Sequence, residues 1–231
     1  MQNLSLLEII LIIMLSVLFF AFAYTIYMLV NRNRIIKTKV DSIASLIKAL
    51  IAYTESKDDY TAIHHRNVAK LSTMIAEKMN FSRERVLLVH NVAMIHDIGK
   101  LNIPGEVLNK DTKLDDSEME LIKSHPVIGY NIIKAMHDYE VFAKIILQHH
   151  ERLDGSGYPY GLTGAETLME AKIIAVADTF EAMTSKRPYG KARDIKAVFK
   201  FFNDNKSVLF ESEVVDALSE LFDHYLIDTR T

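Results

Sequence analysis

His149-His150-Glu151-Arg152-Leu153-Asp154-Gly155-Ser156-Gly157-Tyr158-Pro159-Tyr160-Gly161-Leu162 is the stretch on which the fold turns. Two adjacent histidines run into Asp, Gly, Ser and Pro, the residues that make turns, and Gly164 extends the break. On either side the apolar residues return with helical spacing, over Tyr139 to His150 before it and Met169 to Thr184 after it. Pro104-Gly105 makes the other break. Further helices follow from the same period. Val68, Leu71, Ile75 and Met79 mark one, and Val86, Val89, Ala93 and Ile98 mark the next, with Ser82 as its cap. Asp115-Asp116-Ser117-Glu118 reads as a helix start, Val127 to Ala135 as a helix, and Val214, Leu218 and Leu221 as a last one. No run alternates β-branched residues, so the predicted fold class is all-α, a helical bundle.

Leu4 to Val30 is a different element. It is almost unbroken Leu, Ile, Val, Phe, Met and Ala, with Glu8 its one charge. About 20 apolar residues suffice to span a bilayer as a helix. Ala21-Phe22-Ala23 has the small-x-small form of a signal-peptide cleavage site, but a basic n-region is missing and the apolar run is long. Arg32, Arg34, Lys37 and Lys39 follow and belong on the cytoplasmic side. The expectation is a single-pass anchor over residues 1–30, N-terminus outside, then a basic juxtamembrane segment and connecting helix over 31–56, then a cytoplasmic domain over 57–231. Ile43, Leu46, Ile47 and Leu50 give that connecting helix, residues 41–55, one apolar face, which makes it a candidate for pairing two chains.

The formal net charge of −3 argues against a broad grip on a nucleic acid polymer, although a metal site would still attract a small anion. With no cysteine, thiol catalysis, disulfides and Cys-ligated metals are excluded. The nine histidines carry the remaining chemistry. His64, His96, His125, His149 and His150, with Asp97 and Asp178, fall on different helices or helix ends, and a bundle can direct such side chains at one core site. Imidazole with carboxylate suits zinc, iron, manganese or nickel. Any one histidine is as well explained by core packing. Two adjacent pairs, His96-Asp97 and His149-His150, each leading into a glycine break, are harder to explain that way. His90, seven residues before Asp97, reads as a core residue, and His65, His137 and His224 carry no assigned role.

At these residues the chain resembles a known family. His96-Asp97-Ile98-Gly99-Lys100 is similar to the signature of HD-domain phosphohydrolases. The stretch from His149 to Leu162 resembles the longer hallmark of the HD-GYP branch, and His125-Pro126 with Gly129, Ala177-Asp178 and Arg187-Pro188-Tyr189 fit it too. The resemblance implies an HD-type helical domain that hydrolyses cyclic di-GMP, to the linear dinucleotide or GMP, in bacterial second-messenger signalling. It implies a cluster of two, sometimes three, divalent transition metal ions, often iron or manganese; together with the apolar anchor, the expected place is the bacterial inner membrane. Carried over, His64, His96, Asp97, His125, His149, His150 and Asp178 would be ligands, with Asp97 bridging. Lys100 would contact the phosphate, and Tyr158 and Arg187 would face the dinucleotide.

Some positions depart from the pattern. Tyr60 stands where three-metal members carry Glu, which implies two ions. Asn67 replaces a common Arg, and Gly190 stands where a basic residue is frequent, leaving Lys191 as the substitute. Two other readings stay open: a receptor or docking module that binds without turnover, and a hydrolase of another cyclic dinucleotide.

Overall fold

The computed structural model of the chain describes residues 5–6, 13–32, 34, 49, 59–136, 139–185 and 193–227, with side-chain surroundings from residue 63 to 222 in the larger part. The chain divides into two units, Met1–Ala49 and Leu50–Thr231. In the first, α1 (Ile13–Arg32) is one helix of 20 residues, long and apolar enough to cross a membrane by length and composition, with its side chains exposed. The expected connecting helix over 41–55 lies outside the described residues, apart from Ala49.

The described residues of the second unit are mainly helical. Its elements are α2 (Asp59–Lys78), α3 (Arg83–Ile95), a 3-10 helix η1 (Ile98–Asn102), α4 (Gly105–Leu108), α5 (Asp116–Lys123), α6 (His125–Lys134), α7 (Glu140–Gln148), α8 (Met169–Thr184), α9 (Ile195–Asp204) and α10 (Ser212–Ile227). The described residues hold no strand, only isolated bridges at Asp154–Thr163 and Lys206–Phe210. The all-α expectation holds. The short α4, the 3-10 geometry of η1 and helix α9 were not foreseen.

Local chemistry accounts for the helix boundaries. Asn80, with φ of 57°, ends α2, and Asn80 and Phe81 donate backwards to the carbonyls of Glu77 and Ala76, so the last carbonyls are satisfied. Ser82 caps α3 by accepting from the Arg85 amide. Asp115 and Glu118 form a reciprocal capping box at α5.

Packing centres on α8. Ala171, Ile173, Ile174, Ala175, Val176, Ala177 and Phe180 are all buried there, so nearly every face of the helix meets protein. α2 packs on both α3 and α8, through Val68, Ile75, Val89 and Val92. Each such aliphatic side chain stabilises the fold by about 1.5–3 kcal/mol relative to exposure. α6 packs on α7 and η1. Phe180, Phe199, Phe202 and Phe222 bring α8, α9 and α10 together, with ring centroids 5.0–6.3 Å apart.

One close approach positions the site. A Cβ on Gly99 would lie 2.0 Å from the His125 carbonyl oxygen and 2.7 Å from the Gly129 nitrogen. η1 can therefore press on the start of α6 only with glycine at this position. Gly99→Ala is expected to destabilise the domain by about 1–3 kcal/mol through overpacking against backbone, read as a lower urea midpoint. An unchanged midpoint would show that α6 can move aside freely.

Candidate metal centre

α2 brings His64 and His65, the α3–η1 junction His96 and Asp97, the first residue of α6 His125, the end of α7 His149 and His150, and the middle of α8 Asp178. All seven residues expected as ligands meet at one place. Their donor atoms form two sets, Asp97 with His125, His149 and His150, and His64 with His96 and Asp178. A third set, His65 with His96 and Asp97, overlaps both. In each set the atoms lie within 4.8 Å of one another.

Asp97 lies between the sets. Its Oδ1 is 3.1 Å from His125 Nε2 and 4.0 Å from His149 Nε2, and its Oδ2 is 3.5 Å from His96 Nε2. On the other side His64 Nε2 is 3.2 Å, and His96 Nε2 4.0 Å, from Asp178 Oδ1.

Backbone geometry sets the protonation of three rings. Nδ1–H of His96 donates to the carbonyl of Ala93, that of His125 to Ile122, and that of His149 to Ile146, at 2.7, 2.8 and 2.6 Å. Each acceptor is three residues upstream. With the proton on Nδ1, a neutral ring presents a bare lone pair at Nε2. His64 follows the same logic with a side chain, its Nδ1 bonded to Glu181 Oε2 at 2.5 Å. Glu181 Oε1 in turn accepts from Asn67 and Ser185.

A divalent ion fits this donor set. His125 Nε2 and His149 Nε2 face each other at 3.3 Å. With Nδ1–H given to a backbone carbonyl in both rings, a cation is what the two Nε2 lone pairs can share. His96 Nε2 and Asp97 Oδ1 are buried and make no hydrogen bond. Two donors about 2.1 Å from one ion lie about 3.0 Å apart at a right angle and about 4.2 Å apart when opposite. The spacings within the two sets quoted above fall in that range.

Electrostatics prepares the same state. Burial pushes His96 down to about 4 and His150 to about 3, and holds His149 well below its usual value, so these rings are neutral at pH 7. Burial works against the Asp97 carboxylate, but the Lys100 ammonium beside it outweighs burial and keeps Asp97 ionised. Asp178 is likewise held low, with His64 and its neighbours overcoming burial. His64 is the exception. Burial disfavours its cation, yet the bonds to Asp178 and Glu181 win and raise it to about 9.

The glycine-rich loop closes over this cluster. Glu151 accepts from the amides of Tyr160 and Leu162, both at 2.9 Å, and so ties the loop to the end of α7. A Cβ on Gly157 would lie 2.4–2.5 Å from backbone atoms of His150, Glu151 and Arg152, so the loop lies flat only with glycine there. Asp154 is a turn former, accepting from the amide and hydroxyl of Ser156. Tyr158 stacks on His150, with centroids 4.6 Å apart and planes at 29°. Burial raises its phenol well above the usual range. Lys100 Nζ bonds Asp97 Oδ2 at 2.6 Å and stays 36% exposed, at the rim. His90 pairs with Thr73, apart from the cluster. Arg187, Gly190 and Lys191 lie outside the described residues, as does the Tyr60 side chain.

Residues 39–214, more than half of the chain, match the HD domain family. The chain belongs to the HD domain family. Its His149–Leu162 motif places it in the HD-GYP branch. It is 36% identical over 193 residues, 83% of this chain and 50% of the relative, to the cyclic di-GMP phosphodiesterase response regulator RpfG of Xanthomonas campestris pv. campestris. It is 31% identical over 175 residues to the 3'3'-cGAMP-specific phosphodiesterase 3 of Vibrio cholerae serotype O1, covering 76% of this chain and 38% of the relative. This chain thus spans half or less of the length of these curated relatives. The HD domain of the phosphodiesterase PgpH of L. monocytogenes shares the fold, with a TM-score of 0.55 and 21% identity over 79% of this chain and 99% of that one.

Against this HD domain frame, sequence reasoning missed four residues. Glu181 had a signal, since it lies three residues after Asp178 and shares its helix face. Asn67, noted only as replacing a common Arg, donates to Glu181. Glu151 sits beside the motif histidines, but its backbone partners depend on how the loop folds. His65 had no separate signal next to His64.

The raised His64 value gives a pH dependence. Below about 9 this ring holds a proton that a metal must displace, so apparent affinity at its set should rise about tenfold per pH unit from 7 towards 9 and then level off. Glu181→Gln removes the anionic acceptor, lowers the His64 value and should flatten the rise. Titration calorimetry with Mn²⁺ at pH 7, 8 and 9 checks this; equal affinity at all three would overturn it.

Proposed function

We propose that the helical domain is a metal-dependent phosphodiesterase that cleaves cyclic di-GMP, to linear pGpG or GMP, and that α1 anchors it in the bacterial inner membrane with the domain in the cytoplasm. The facing lone pairs of His125 and His149, with Asp97 between two donor sets, carry this reading.

Two divalent transition ions, iron or manganese, would be held by Asp97, His125, His149 and His150 and by Asp97, His64, His96 and Asp178, and would supply activated water and charge neutralisation at the scissile phosphate. The chain's own residues do the rest. The Nδ1 bonds and burial keep His96 and His149 neutral and oriented. Lys100 fixes the Asp97 carboxylate, and its exposed ammonium meets an incoming phosphate at the rim. Tyr158 holds the His150 ring in place, and its raised phenol is a hydrogen-bond donor at neutral pH rather than a base. Arg187 and Lys191 complete the phosphate grip in this proposal, with Arg187 suited to a forked contact.

Relatives named for cyclic di-GMP and for 3'3'-cGAMP support a cyclic dinucleotide substrate and keep the choice of bases open. The net charge of −3 weighs against a nucleic acid polymer. Pairing of two chains or docking of a signalling partner through the juxtamembrane segment belongs to the same proposal.

Turnover of both dinucleotides by metal-loaded protein is the direct test. Asp97→Ala should lose both metal loading and hydrolysis. Lys100→Ala should keep the metals and lose about 10²–10³-fold in kcat/KM. Tight binding without product in the metal-loaded protein would establish a receptor instead, and preference for 3'3'-cGAMP would change the substrate. For the anchor, the chain should resist alkaline extraction from membranes, while deletion of residues 1–32 should release it. Recovery of the intact chain in the soluble fraction would rule the anchor out.

A further inference from the structure

His65 is 2% exposed, and neither of its ring nitrogens has a hydrogen-bond partner. A neutral imidazole carries one donor and one acceptor, and a buried side chain of this kind is ordinarily paired. Its Nε2 lies 3.7 Å from Asp97 Oδ2, too far for a hydrogen bond. Its ring centroid is 5.2 Å from that of His96 and 5.6 Å from that of His64. The ring therefore reaches the cluster from α2 beside Asp97 and His96, with no hydrogen bond of ordinary length to either.

The shared histidine decides what His65 is near. His96 uses Nδ1–H on the Ala93 carbonyl, so only its Nε2 can take a metal, and one lone pair serves one ion. The set of His64, His96 and Asp178 and the set of His65, His96 and Asp97 both contain that atom. An ion that takes His65 together with His96 is therefore the same ion that His96 shares with His64 and Asp178. Asp97 Oδ2 can serve it while accepting from Lys100, because each carboxylate oxygen has two lone pairs.

Resting on the two-metal reading above, we infer that His65 is a further nitrogen ligand to the ion held by His64, His96 and Asp178. That ion then has five protein donors: three imidazoles, Asp178 and Asp97. The other has four: His125, His149, His150 and Asp97. The first is the more closed, and the second has more room for substrate oxygen. Two adjacent residues of α2 serve one ion because His64 reaches it from the Glu181 side and His65 from the Asp97 side.

The test uses the full chain in detergent with Mn²⁺ alone as the probe. Bound metal is counted after equilibrium dialysis, and affinities are measured by chelator competition, for wild type, His65→Ser and His65→Gln. In both variants one of the two ions should bind at least about tenfold more weakly, with the other unchanged. Two ions bound at wild-type affinity by variants with a native circular dichroism spectrum and melting profile would overturn the inference and leave the two-metal reading standing. Wild-type protein that binds no ion would overturn both. Should the variants fail to fold, a structure of Mn²⁺-loaded wild-type protein decides. His65 Nε2 at about 2.0–2.3 Å from the metal supports the assignment, and a separation beyond about 3 Å rejects it.

Discussion

A single carboxylate, Asp97, faces two sets of nitrogen donors, one from each oxygen, and much of the domain can be read as what that arrangement requires. Its Oδ1 looks towards His125 and His149, and its Oδ2 towards His96, His65 and Lys100. For both oxygens to be used, the end of α3, the start of α6, the end of α7 and the middle of α8 must converge. The glycine at residue 99 lets η1 approach α6 closely enough, and the aliphatic burial around α8 holds the helices there. A carboxylate this deep would be costly on its own. The lysine at the rim holds it well below its usual range and so ionised.

Protonation is controlled by means that secondary structure supplies directly. At a helix terminus a carbonyl three residues upstream is within reach of an imidazole Nδ1. His96 and His149 follow the ends of α3 and α7, and His125 follows α5, so each uses such a carbonyl. Burial then keeps the first two neutral, and each Nε2 is committed to the cluster. His64 lies within α2, where carbonyls are taken up by the helix, and it uses Glu181 instead. A carboxylate acceptor stabilises the charged ring as a carbonyl does not. This is why His64 alone of the shifted ligand histidines moves upward.

The helical class and most helix positions were legible because each depends on local pattern, apolar period and caps, and the candidate donors stood out as adjacent His-Asp and His-His pairs at breaks together with His64, His125 and Asp178 on other helices. Met169–Thr184 emerged with the boundaries that period implied, and Ser82 and Asp115 cap where their chemistry suggests. Tyr158 was read as a candidate substrate contact, and its observed partner is His150, a neighbour reached only because Gly157 lays the loop flat. His65 carries no signal of its own in the sequence, since adjacent helical residues point about 100° apart and a histidine beside His64 has no fixed direction until α2 is packed. In the folded domain α2 lies against both α3 and α8, and both directions face the cluster.

By itself the sequence determined the donor types, the placement of His96, Asp97, His125, His149 and His150 at helix ends, and the apolar α1, since these follow from residue chemistry and spacing along one chain. Tertiary structure alone decided which oxygen of Asp97 meets which histidine, that Glu181 orients His64, and that His65 is buried without a partner beside His96. Those relations join residues far apart in sequence, or depend on how a helix is rotated against its neighbours. Spacing along the chain carries no record of either.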